Sequence, residues 1–98
     1  AAAVPDAPGG AGVWPFFMVL MTHRALRDRA RGALWRSGLG VSKLFVRALP
    51  DDPYLADGIG AGPCPAARDL ADRMLTVTNT HWLDDGAFSR LAGEICDA

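Results

Sequence analysis

The spacing of apolar residues changes along the chain, and each change marks an element. Val13 to Met21 (VWPFFMVLM) is a nearly continuous apolar run of strand length, the pattern of a strand buried on both faces. Pro15 cannot donate to a ladder, so it belongs at the start of that strand or on an edge. With Thr22 placed as N-cap, the spacing turns helical: Leu26, Ala30, Ala33 and Leu34, with Ser37, share one face of a helix of about four turns that ends before Gly38. Arg24, Arg27, Arg29, Arg31 and Arg36 take the other faces, where they are expected to be solvated, and Asp28 is spaced to pair with Arg24 or Arg31.

Gly38-Leu39-Gly40 then opens a second strand, Val41 to Leu49, in which Lys43, Phe45 and Arg47 alternate with Leu44, Val46 and Ala48. Pro50 to Pro63 is a turn-rich loop whose bulky anchors are Tyr54 and Leu55. Pro65 suits the first turn of a second helix with Ala66, Ala67, Leu70, Ala71 and Met74 as its buried stripe, followed by a short β-prone stretch from Leu75 to Thr78. Asp84 is placed to cap a third helix that buries Ala87, Phe88, Leu91, Ala92 and Ile95. The order β-α-β-loop-α-β-α predicts an α+β fold: a small two-layer domain of about three strands with three helices on one sheet face, the other face lacking a cover. Ala1 to Gly12, rich in small residues, proline and glycine, reads as a linker or disordered lead-in to a domain over 13–98.

Composition narrows the class. Half the residues are apolar and 21% charged, which separates the chain from disordered sequences. At 98 residues it is one small domain, short enough that a neighbour covering part of its surface would matter to its stability. A formal net charge of −1 gives no field that would draw it to nucleic acid or to an anionic membrane. The apolar run is too short to cross a bilayer, and no basic segment precedes it as in a signal peptide, so a cytoplasmic protein is expected. Cys64, Cys96, His23 and His81 show no metal-site spacing and read as structural residues.

The residues that could carry chemistry are few. Ser42 and Lys43 are adjacent on a strand and point to opposite faces, which disfavours a serine–lysine nucleophile pair. Lys43, the single lysine, shares a strand face with Arg47, and the two could meet a phosphate or a carboxylate. His81 with Asp84 and Asp85 could form a general-base cluster, but Asp84 is accounted for as an N-cap and Asp85 as a first-turn acid. These residues leave open a non-catalytic α+β interaction module and a small anion-binding domain built on Lys43 and Arg47.

Taken in order, the apolar strand WPFFMVLM, the helix with Arg27-Asp28 and Leu34, and the strand GLGVSKLFVRALP with its loop ending in PYL are followed by PAARDLADRMLTVTN and a capped terminal helix. This succession resembles the C-terminal small domain of the DegT/DnrJ/EryC1/StrS family of pyridoxal-phosphate sugar aminotransferases, over Val13 to about Asp97. The resemblance implies a domain of an enzyme that transaminates a keto-sugar, usually nucleotide-linked, and that works as a homo-oligomer. It also implies that pyridoxal phosphate sits on a separate large domain through a lysine there. No catalytic, cofactor-binding or metal residue is expected in this chain; Lys43, Arg47 and His81 are its substrate-side candidates. Leu44 and Phe45 stand where many members carry histidine or tyrosine, and His81 falls one place later than the family's leucine-proline-x-histidine.

Overall fold

The computed structural model describes residues 1–45, 47–60 and 62–97. Val46 of the expected second strand, Ala61 of the expected loop and Ala98 at the end of the expected domain lie outside the described residues. The fold is α+β. Four strands, β1 (Ala2–Ala3), β2 (Phe16–Leu20), β3 (Val41–Ser42) and β4 (Met74–Thr78), form an antiparallel sheet in the order β1-β2-β4-β3. Among the described residues four helices accompany it: α1 (Arg24–Leu34), α2 (Ala56–Ile59), α3 (Pro65–Arg73) and α4 (Asp85–Cys96), with a 3-10 turn at Leu49–Asp51. Both β2 and β3 run antiparallel to β4, so they are parallel to each other, and the last strand of the chain fills the gap between them.

Strand alternation divides the sheet into two faces. Val19, Met21, Val41, Leu75 and Val77 point to one of them and pack with Ala30 and Leu34 of α1 and Leu91 and Ile95 of α4. The opposite face carries Phe16, Met18 and Leu20, each only half-buried, beside Met74 and Thr76 of the central strand, which are buried. β4 is thus buried along most of its length, and it joins α3 without a loop. The ladder continues one residue past it: Met21 N–H donates to the Arg73 carbonyl at 2.9 Å, and Arg73 Nε donates to the Met21 carbonyl at 2.8 Å.

Several expectations are corrected. The first expected strand is shorter, because Pro15 lies just outside it, and Phe17 is exposed rather than buried on both faces. Ala2–Ala3, within the segment expected to be a lead-in, pairs with Val19 and Leu20 as an edge strand, and Val4 N–H adds a bond to the Met18 carbonyl. Thr22 does not cap α1; His23 occupies the N-cap without a side-chain bond. The helix stops at Leu34, where Ser37 Oγ donates to the Leu34 carbonyl and accepts from Leu39 N–H. The second expected strand contracts to Val41–Ser42, since the chain bends at Leu44 and tightens into the 3-10 turn around Pro50. Asp84 caps α4 as expected, accepting from Ala87 N–H at 2.7 Å, but Phe88 is half exposed.

Two glycines set the turn from α1 into β3. Gly38 and Gly40 have φ of 76° and 71°, in the left-handed region that other L-residues enter at a cost. A Cβ at Gly38 would meet open space, whereas one at Gly40 would overlap the side chain of Thr78, whose N–H donates to the Gly40 carbonyl. Gly38→Ala is therefore expected to destabilise the chain by about 1 kcal/mol and Gly40→Ala by about 2 kcal/mol or more in denaturant unfolding. Equal losses for the two variants would show that the Gly40–Thr78 approach does not constrain the turn.

Candidate functional site

Arg27 is the starting point, because it lies on the wrong side of its helix for a solvated cation. It falls three and seven residues before Ala30 and Leu34, on the buried stripe of α1, and is 1% exposed. The expectation that it would be solvated is thereby corrected. Two of its nitrogens are bonded to protein: Nε donates to Asp28 Oδ1 at 2.7 Å, and Nη1 donates to the carbonyls of Ala71 at 2.8 Å and Met74 at 3.4 Å. These carbonyls lie at the C-terminal end of α3, where helix acceptors lack intrahelical partners and the helix dipole is negative. A cation there satisfies a backbone acceptor and offsets the dipole together.

Beside Arg27 opens a cavity of about 460 Å³ between α1, α3 and the segment from Lys43 to Asp51. The first turn of α1 supplies Arg24 and Arg27, the segment after β3 supplies Lys43, Arg47 and Asp51, and α3 supplies Arg68 and Asp72. Asp51 and Arg68 form a two-pronged pair with two bonds of 2.8 Å, fastening the 3-10 turn to α3. Arg24 Nη1 lies 3.6 Å from Asp72 and its Nε lies 3.5 Å from Asp28, so it bridges α1 and α3.

The charges move one another's titration. Hydrogen bonding from Arg27 holds the Asp28 carboxyl below its usual value against the opposing effect of burial. Arg68 does the same for Asp51, with Arg47 adding to the attraction, and Asp51 in turn raises Arg68. Lys43 is pushed down, first by loss of water around its ammonium and then by the positive charges of Arg27 and Arg31; Asp28 opposes the shift. Arg31 itself lies 4.6 Å over the Trp35 ring, and its Nε is buried with no acceptor among the described residues.

The structure brings together two of the three predicted site residues. Lys43 and Arg47 line the same cavity, though not as neighbours on one strand face: β3 ends at Ser42, and the bent segment that follows delivers both. His81 does not line it. That side chain is exposed in the turn before α4, its ring 4.4 Å from the Trp82 ring, while Thr80 organises the turn through the N–H groups of Trp82 and Leu83. Asp84 is committed to its cap. Arg24, Arg27, Arg68, Asp51 and Asp72 were not expected in the site. Only Arg27 carried a local signal, its helical spacing from Ala30 and Leu34; Asp51 and Arg68 are 17 positions apart and meet only in the fold.

The cofactor implied by the resemblance does not fit this cavity. Besides a lysine it needs a carboxylate turned to the pyridine nitrogen, and Asp51 and Asp72 are each paired with arginine. Among the described residues no group of three histidine, cysteine, aspartate or glutamate side chains could hold a metal ion, and no helix is long and apolar enough to cross a membrane. Both cysteines are free thiols. No family model matches this chain, and neither a curated protein nor a solved structure matches it.

Asp28 and Asp51 titrate lower in the fold than in the unfolded chain. Each therefore adds stability that is fully present above the ordinary carboxylate value of 3.8 and is lost as pH falls through the lowered value below it. The stability difference between the wild-type chain and the Asp28→Asn/Asp51→Asn double variant is expected to shrink as pH falls through the window below about 4. A difference that stays constant across that window would mean that neither carboxylate is held by its arginine.

Proposed function

We propose that the chain is the C-terminal small domain of a cytoplasmic pyridoxal-phosphate sugar aminotransferase, acting on a keto-sugar only when joined to a large domain that holds the cofactor. The observation that carries this reading is an excess of surface. The chain exposes 6649 Å², whereas a compact protein of 10.4 kDa exposes about 5400 Å². Its radius of gyration is 15.0 Å against about 13 Å for a compact domain of this length. The excess of about 1200 Å² is of the order that one partner contributes to a stable interface.

Residues 1–13, exposed except for Val4, contribute to the excess, and a second contribution is apolar. Leu44, Phe45, Leu49, Tyr54, Leu55 and Ile59, all in the segment after β3, are between 42% and 95% exposed. Monomeric domains rarely leave so many large apolar side chains in one stretch of chain uncovered. The half-buried Phe16, Met18 and Leu20 on the second sheet face add to the same demand. In the aminotransferase reading the large domain meets this demand, and the lysine that holds pyridoxal phosphate lies there. Lys43, within the small domain's own polar cavity, supports substrate binding rather than cofactor attachment.

The full reading frame that contains residues 1–98 is expected to encode, ahead of Ala1, a domain that binds pyridoxal phosphate. Borohydride trapping of that protein should place the cofactor on a lysine of the upstream domain. The 98-residue chain alone should self-associate in light scattering and bind an apolar dye. A stoichiometric trapped adduct on Lys43 would overturn the reading, as would a stable monomer that binds no dye. A frame whose start codon lies directly ahead of Ala1, together with self-association, would favour the free-standing interaction module instead.

A further inference from the structure

We propose that the cavity between α1, α3 and the segment from Lys43 to Asp51 is a binding site for a small polyvalent anion of the phosphate class. The site is a property of this chain alone and needs no large domain, so it stands or falls apart from the aminotransferase reading.

Among the described residues five cationic side chains and two carboxylates line the cavity, and Asp28, just outside the lining, pairs with Arg27, so two positive charges, those of Lys43 and Arg47, are left over. The carboxylates are not at liberty to balance the rest. Asp51 is taken by the two-pronged bond from Arg68, and Asp72 lies nearest Arg24. Among the described residues neither Lys43 nor Arg47 has a carboxylate within ion-pairing distance. One wall is fixed by Arg27, whose guanidinium is anchored by Asp28 and the α3 carbonyls and cannot swing out to water. The like charges are thus held together by the fold rather than dispersing into solvent, and half-buried Lys43 bears both loss of water around its ammonium and repulsion from Arg27 and Arg31.

Charge and size narrow the ligand. A monocarboxylate would offset one of the two surplus charges, whereas a phosphate monoester or a diphosphate offsets both. Arginine presents a planar fork that matches phosphate oxygens and lysine a point charge, and the cavity offers both kinds of donor. At about 460 Å³ it lies within the range of small-ligand sites, larger than one phosphate group requires. Lys43 and Arg47 are the two side chains whose charge the ligand would complete.

The test is calorimetric titration of the 98-residue chain with pyrophosphate, inorganic phosphate and acetate at about 0.1 M salt. The expected result is one saturable site for pyrophosphate, with acetate at least tenfold weaker. Tighter binding of pyrophosphate than of phosphate marks a diphosphate site; comparable binding marks a phosphate monoester site. Lys43→Met and Arg47→Gln should each weaken binding about five- to tenfold, while Arg90→Gln, on the exposed face of α4, should leave it unchanged. Arg47 is exposed, so its variant keeps the test open even if Lys43→Met does not fold. No saturation by about 10 mM pyrophosphate, acetate binding as tight as pyrophosphate, or equal weakening by Arg90→Gln would overturn the proposal.

Discussion

A single buried guanidinium joins the parts of this domain. Arg27 stands where α1, the end of α3 and the start of β4 converge, and its donors reach acceptors in both of the latter. Burying a cation is costly unless its charge and its donors are matched. Here Asp28 supplies the countercharge from the adjacent position, and the end of α3 supplies the carbonyls. The match works in both directions, since those carbonyls would otherwise be left unpaired at a helix end. Position 27 is thus specified by α3 and β4, more than 40 residues away in sequence, and not by α1 alone.

The rest of the architecture arranges itself around that junction. Because α3 runs straight into β4, fixing the end of α3 also fixes the register of the central strand, and the Met21–Arg73 exchange secures the same corner from the β2 side. β4 then aligns β2 and β3 on its two edges. The segment after β3 cannot continue the sheet beyond Ser42; it is tied instead to α3 by Asp51 and Arg68, which closes the polar cavity. The consequence is a domain with two contrasting surfaces. One is a cationic recess lined by residues from three parts of the chain. The other carries the exposed side chains of Leu44, Phe45, Leu49, Tyr54, Leu55 and Ile59.

What could be read from the sequence follows from the range of each interaction. β4 announces itself through β-prone residues, and α4 through helical spacing and a cap that the structure contains. β1 could not be read, because two alanines carry no strand signal and pair only because β2 offers a free edge. The length of β3 was overestimated: Lys43 and Arg47 alternate correctly, but the fold bends the chain after Ser42. Lys43 and Arg47 were legible as candidates because paired cations on a short segment stand out in a chain with one lysine. Their companions were not. Arg24, Arg68, Asp51 and Asp72 look like ordinary surface charges until the fold brings α1 and α3 together. Arg27 reads with the other arginines as a solvated cation, because its buried place on α1 depends on acceptors in α3 and β4 that the local sequence does not show.

The account rests on Arg27 as the fastener between α1 and the α3–β4 corner, and the stability of Arg27→Met tests it most directly. Methionine fills much of the same volume but donates no hydrogen bond, leaving the Ala71 and Met74 carbonyls without their donor. Denaturant unfolding should show a loss of about 3 kcal/mol, against a change within about 0.5 kcal/mol for Arg90→Met on the exposed face of α4. An Arg27→Met variant as stable as the wild-type chain would contradict the account.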